Sequence, residues 1–217
     1  MTNHSSESSS SFHCFTSIDQ WITERASELD QIPSTRRQEL SQLAGYIRKN
    51  LEANGTAKLT FICTHNSRRS HFSQIWAKVI ADYCGHFGVQ TFSGGTEATA
   101  MNERVVDSLR RSGFVIEADD VSVSNPIYRV SYSDQSVPLQ CFSKVYDQTP
   151  NPQSGYAAVM TCSSADDACP IVPGCELRLP IRYEDPKVAD GTEQEAAVYD
   201  ERSKQISREM LAVMKAV

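Results

Sequence analysis

The chain has no C-x-x-C pair, and its five histidines do not fall at ligand spacing, so a structural zinc site is not expected. No apolar run approaches the length of a membrane-spanning helix. The first residues, MTNHSSESSSSFHCF, lack a basic start and an apolar stretch, so they do not read as a secretory signal, and a cytoplasmic protein is expected. There is no excess of positive charge: 21 Lys and Arg stand against 27 Asp and Glu, a formal net charge of −6. Nucleic acid and anionic membrane are therefore not expected as partners. A small anion is still open, because a local site can be positive on an acidic protein.

What is present is ordinary for a globular chain. The 217 residues, 40% hydrophobic and 22% charged, suffice for one α/β domain with a full core plus an appendage. Seven cysteines are an odd number at spacings that match no small secreted scaffold. In a reducing compartment they read as thiols: buried, metal-binding or catalytic.

Residues 1–16 are Ser-rich and read as a disordered tail. Residues 17–55 read as a helical hairpin extension. Ser17 is the expected cap of a first helix carrying Ile18, Trp21, Ile22 and Leu29, and Pro33 breaks it. Leu40, Leu43, Ala44, Ile47 and Leu51 mark a second helix, which Asn54-Gly55 ends. Residues 56–217 form the main domain. Buried strands are expected at Leu59–Ile62, Val89–Ser93, Tyr156–Met160 and about Leu177–Tyr183. An amphipathic helix carries Phe72, Ile75, Trp76, Val79, Ile80 and Tyr83. Another covers about Asn102–Ser112, and Thr192 with Glu195 form a capping box for a C-terminal helix. Residues 125–155 read as a hairpin or an excursion from the sheet. The alternation of strands and helices predicts a three-layer α/β sandwich with a mostly parallel sheet.

Cys63-Thr64-His65-Asn66-Ser67-Arg68-Arg69 lies between a buried strand and a strong helix, where α/β folds bind anions. The helix beginning near Ser70 aims free N–H groups and its positive dipole end at this loop. A thiol at Cys63 is favoured as thiolate there. The planar fork of Arg69 suits two oxygens of a tetrahedral oxyanion. Asn66 suits a left-handed turn and can tie the loop through its side chain, and the Ser70 hydroxyl can bond the thiolate. The bland alternative is a chance Cys-x5-Arg with a packed cysteine.

Cys162 follows the strand ending at Met160, at the same sheet edge as Cys63 if the sheet is parallel. Cys169 comes seven residues later. If the segment is helical, the two are separated by roughly 10 Å along the axis, whereas a disulfide needs Cα atoms within about 7 Å. A bond between them would require unwinding; two unrelated thiols fit the spacing as well. Asp185, before Pro186 at the end of the last strand, is either a general acid or a turn opener.

Taken together, these segments resemble the low-molecular-weight protein tyrosine phosphatase superfamily, and within it the thioredoxin-coupled arsenate reductases. Phe61 to Ser70 and Asp185-Pro186 with Gly191-Thr192 carry the superfamily resemblance; Cys162 and Cys169 with Pro170-Ile171 carry the branch. The resemblance implies that Cys63 attacks arsenate or a phosphate-type oxyanion. Thr64, His65, Asn66, Ser67, Arg68, Arg69 and Ser70 would cradle the oxygens, and Asp185 would protonate the departing one. Cys162 and Cys169 would relay a disulfide to thioredoxin, with no cofactor. Four features depart from the pattern. Arg68 stands where many members have a second cysteine, and His65 stands where glycine is common. Lys187 replaces the tyrosine of many phosphatases, which favours a small inorganic anion. Gln74 replaces the acidic ligand of a monovalent-cation site, so no such ion is expected.

Cys14, Cys84, Cys141 and Cys175 read as packed thiols, with Cys175 close enough to Cys169 in sequence to be, as the alternative, a rival redox partner. Three functions follow in order: arsenate reductase, phosphatase acting through a phosphocysteine at Cys63, and an oxyanion-holding binding module.

Overall fold

The computed structural model describes residues 12–169 and 171–217. The strand β1 (Ala57–Cys63) is buried on both faces, as a near-continuous apolar run requires. It pairs in parallel with β2 (Val89–Gly95) on one side and β6 (Tyr156–Met160) on the other, and β7 (Cys175–Pro180) completes the order β2-β1-β6-β7. Because all four strands run the same way, the carboxyl ends of β1 and β6 open on one edge. Cys63 aligns with Gly95, and Ile62 with Met160.

Side-chain alternation along these strands divides the core. Leu59, Phe61, Ala157 and Val159 belong to the large cluster, whereas Ile62, Cys63, Tyr156, Ala158 and Met160 belong to a smaller one. The large face is covered by α2 (Ser34–Asn54), α3 (Arg69–Tyr83) and α6 (Glu195–Lys215). α1 (Thr16–Ala26) lies on α6: Trp21 stacks on Trp76 of α3 at 5.7 Å, and their indole N–H groups donate to Ser207 and Ser203 of α6. The small face receives α5 (Ser163–Ala168) and Tyr146. The architecture is the expected α/β sandwich with a parallel sheet.

α4 (Glu103–Arg111) is capped by Asn102, which accepts from the Arg104 N–H. A second, antiparallel sheet follows: β3 (Val115–Ala118), β4 (Tyr128–Ser131) and β5 (Leu139–Cys141). The excursion at 125–155 thus contains a hairpin, with Tyr128 opposite Cys141. Its third strand, β3, has one buried position, Ile116, too few to show a period.

Three local expectations are corrected. Residues 12–16, grouped with the tail, are docked: Cys14 is buried, the Phe15 N–H donates to Tyr132 O, and Ser133 Oγ donates to His13 O. Residues 1–11 lie outside the described part. That docking also sets the entry of α1, which starts at Thr16 with no side-chain cap, so Ser17 is inside the helix. Thr192 and Glu195 do not cap α6 as a box. Glu195 is its first residue and accepts from Gly191 N–H, while Thr192 accepts from Gln194 N–H, so the pair closes the turn ahead of the helix.

Candidate active site

β1 ends at Cys63 and α3 begins at Arg69, so the five residues between them turn the chain. Asn66 does this in a left-handed conformation, φ 44°. Its side chain spans the turn: Nδ2 donates to Ser70 Oγ at 2.9 Å, and Oδ1 accepts from the Lys144 N–H at 2.9 Å. The loop carbonyls are taken from outside. Cys63 O and Thr64 O accept from the Thr96 and Glu97 N–H groups, His65 O from the Thr99 and Ser143 hydroxyls, and Ser67 O from the Asn102 N–H. The N–H groups of residues 64–68, by contrast, have no intramolecular acceptor among the described residues. Backbone donors are nearly always paired, and a run of successive free N–H groups in a turn has the chemistry that could receive an anion. The β2 end must be glycine beside it: a Cβ on Gly95 would stand 2.6 Å from Asn66 N and Thr64 O.

Cys63 is buried, with Sγ 3.1 Å from Ser70 Oγ. Because Ser70 Oγ already accepts from Asn66, its own hydrogen is free to point at the sulfur. Arg69 Nη2 donates to Asp185 Oδ2 at 2.7 Å and Nη1 to Tyr183 O, while its buried Nε has no partner. Asp185 caps the short turn Pro186–Ala189 by accepting from Lys187 N–H. The last strand therefore delivers Asp185 to the same edge as Cys63.

Two loop side chains are held mainly by other partners, although Arg68 Nε also comes within 4.0 Å of Asp185 Oδ1. His65 is half exposed, 3.7 Å from Glu97. Arg68 Nε donates to Tyr199 Oη at 2.9 Å and Nη2 to Asp190, and Tyr199 in turn donates to Asp190. Burial, then the bond to Asp190, pushes the Tyr199 phenol up to about 12, so it stays a donor at neutral pH.

Cys162 is buried in the same small cluster as Cys63. It is the N-cap of α5, with Sγ accepting from Ala165 N–H at 3.4 Å and lying 3.5 Å from Thr64 Oγ1 of the loop. Cys169 closes the other end of α5, half-buried. Burial raises its thiol pKa, and the Arg178 charge opposes the rise. Cys175, the first residue of β7, is half-buried under the same two influences. Cys14 and Cys141 are pushed up to about 12 by burial, which keeps them as inert thiols, and Cys84 is raised by burial. All seven cysteines are free.

Sequence reasoning missed the residues that hold these groups. Asp166 of α5 is buried and pairs with Arg178 Nη2 at 2.5 Å and with Arg182. Arg178 also donates to the carbonyls of Asp166 and Cys169. Nothing in spacing joins Asp166 to Arg178, or Arg68 to Asp190 and Tyr199, because each pair comes from separate elements. Lys144, on the strip that bonds Asn66 and Gly95, carried no motif at all. Among the described residues no cluster of His, Cys, Asp or Glu could hold a metal. Gln74 Nε2 donates to Thr91 O. No described helix is long and apolar enough to cross a membrane.

No family model matches the chain. It is similar to an arsenate reductase of Bacillus licheniformis, 27% identical over 144 residues, 65% of this chain and 83% of the relative. An arsenate reductase of Bacillus subtilis is 28% identical over 142 residues, with the same coverage. Among solved structures, a low-molecular-weight phosphotyrosine phosphatase of Vibrio cholerae aligns at a TM-score of 0.48 and 14% identity, over 73% of this chain and 95% of that one. The sequence likeness to these arsenate reductases supports an enzyme.

Proposed function

We propose that this enzyme is a thiol-dependent arsenate reductase in which Cys63, Cys162 and Cys169 act in turn. The observation that carries the reading is Cys162: a buried thiol within reach of the oxyanion loop through Thr64, at one end of a helix that Cys169 closes at the other. A hydrolase working through Cys63 alone has no use for that arrangement. The curated relatives named arsenate reductases support it.

Arsenate binds to the free N–H groups of residues 64–68 and to Arg69, which exchanges its contact with Asp185 for the oxyanion. The Cys63 thiolate displaces one arsenate oxygen; Asp185, as the acid, protonates it, and it leaves as water. The Cys162 thiolate then attacks Cys63 Sγ. The sulfur–arsenic bond breaks with its electron pair left on arsenic, so As(V) becomes As(III) and a Cys63–Cys162 disulfide forms. Cys169 attacks Cys162 Sγ and releases the Cys63 thiolate. The Cys162–Cys169 disulfide spans α5 and needs it to unwind. Thioredoxin, a dithiol, reduces that bond.

A phosphomonoesterase is the second reading, favoured by one observation: Cys63, Ser70, Arg69 and Asp185 form a connected set without Cys162 or Cys169. The test is NADPH oxidation by the reduced protein with arsenate, thioredoxin and thioredoxin reductase, beside aryl phosphate hydrolysis. Cys162→Ser and Cys169→Ser are expected to abolish the first and spare the second. Absence of arsenate-dependent oxidation, with hydrolysis unaffected by either substitution, would establish the phosphatase instead.

A further inference from the structure

Lys144 is 4% exposed, yet no carboxylate pairs with it among the described residues. Its Nζ donates to Phe142 O at 3.2 Å and lies 4.4 Å from the centre of the Phe142 ring. The other buried cation among the described residues is not left so: Arg25 pairs with Glu24 and Glu28, and the partly buried Arg36 likewise pairs with Glu209 and Glu39. An ammonium removed from water without a counter-charge is costly, and a Met of similar length would fill the same space without that cost.

The position of Lys144 explains what the charge is near. Its N–H donates to Asn66 Oδ1, and its carbonyl accepts from Gly95 N–H, so the residue is fastened to the loop turn and to the end of β2. Its ammonium acts on two buried groups. One is Cys141 of β5; the other is His71, in the first turn of α3 directly after the loop. His71 also touches the Asn66 backbone and Ser93 of β2. Lys144 is therefore fastened by its backbone to the loop whose free N–H groups face an anion, with its buried ammonium near His71 and Cys141.

We propose that Lys144 is a positioning residue of the oxyanion site, its buried ammonium supplying a positive charge that the bound oxyanion balances. This rests on residues 63–69 binding a tetrahedral oxyanion. Coupling between the two charges is reciprocal: the oxyanion holds the proton on Lys144, and the protonated amine tightens the oxyanion.

Burial lowers the amine to about 8, while Cys141 opposes the shift. The groups facing it do not titrate nearby: His71 is held neutral down to about 3, and the Cys141 thiol up to about 12. Between pH 7 and 9, Lys144 is thus the member of this buried cluster that changes charge.

The test is calorimetric titration with sulfate, which remains a dianion throughout, into the full chain carrying Cys63→Ser so that no thiolate at Cys63 competes. Affinity is expected to weaken about tenfold from pH 7 to pH 9 as the free amine loses its proton. Adding Lys144→Met is expected to weaken binding about tenfold at pH 7 and to flatten the profile. Binding that neither pH nor Lys144→Met moves would overturn the role of Lys144 and leave the loop reading intact. No sulfate binding by the Cys63→Ser chain, at any pH, would overturn the loop reading and this inference with it. The pH profile does not depend on Lys144→Met folding.

Discussion

Arg69 Nη2 stands 2.7 Å from Asp185 Oδ2, so the last arginine of the loop and the carboxylate at the far strand end hold each other. The two residues are 116 positions apart in the chain. Their pairing keeps the guanidinium near the loop mouth and the acid within reach of whatever the loop binds. In the proposed reaction the arginine must give one donor to the oxyanion while Asp185 delivers its proton.

Replacement of Asp185 by Asn removes the acid and keeps its shape. Turnover is expected to fall about 100-fold or more. Sulfate binding is expected to hold or tighten, because a competing carboxylate leaves Arg69. Steady-state kinetics beside calorimetry checks this, and unchanged turnover would remove Asp185 from the chemistry.

Asp166→Asn should loosen α5. The carboxylate is buried, but Arg178 is partly and Arg182 about half exposed, so the loss is discounted to about 2 kcal/mol. Hydrogen exchange at residues 163–168 of the reduced protein is expected to quicken, since Arg178 also holds the last carbonyls of that helix. Formation of the Cys162–Cys169 disulfide should become faster. Unchanged exchange in this helix would mean that the ion pairs do not govern its opening.

His71 makes stability acid-sensitive. Burial, then the Lys144 charge, lowers its pKa from 6.5 to about 3, so the folded chain keeps it neutral where the unfolded chain protonates it. Its contribution is fully present above pH 6.5 and is lost as pH falls toward 3, by about 1.4 kcal/mol per pH unit at the steepest. Urea unfolding from pH 7 to 4 should show a shallower decline in His71→Gln than in the parent. Parallel declines would exclude His71 as a source of acid lability.

The strands and long helices were legible because each is a local signal. Phe61-Ile62 before the loop, the Phe72–Ile80 face, and the run Tyr156–Met160 bury continuous or periodic apolar sets, and the observed elements follow them, with Tyr83 of the expected face left exposed. Asn66 was readable as a left-handed residue for the same reason, since its conformation depends on its own backbone and side chain. β3 was not readable: only Ile116 of its four residues is buried. The docking of residues 12–16 was hidden too, because it depends on Tyr132 and Ser133, more than a hundred positions later.

By itself, the sequence determined the parallel order of alternating elements, the loop that ends β1, and the chemical types available at the sheet edge: thiols, arginines and one Asp-Pro acid. Tertiary structure decided which of these meet. Arg69 bonds Asp185 at 2.7 Å, whereas Arg68 bonds Asp190 and Tyr199 and comes only within 4.0 Å of Asp185, although the two arginines are neighbours in sequence. Cys162 reaches the loop while Cys141 is sealed in the core. Lys144 is fastened to the loop by its backbone, and its buried ammonium meets no carboxylate among the described residues. Side-chain type is local, but direction, burial and charge pairing depend on elements that the chain brings together only when it packs.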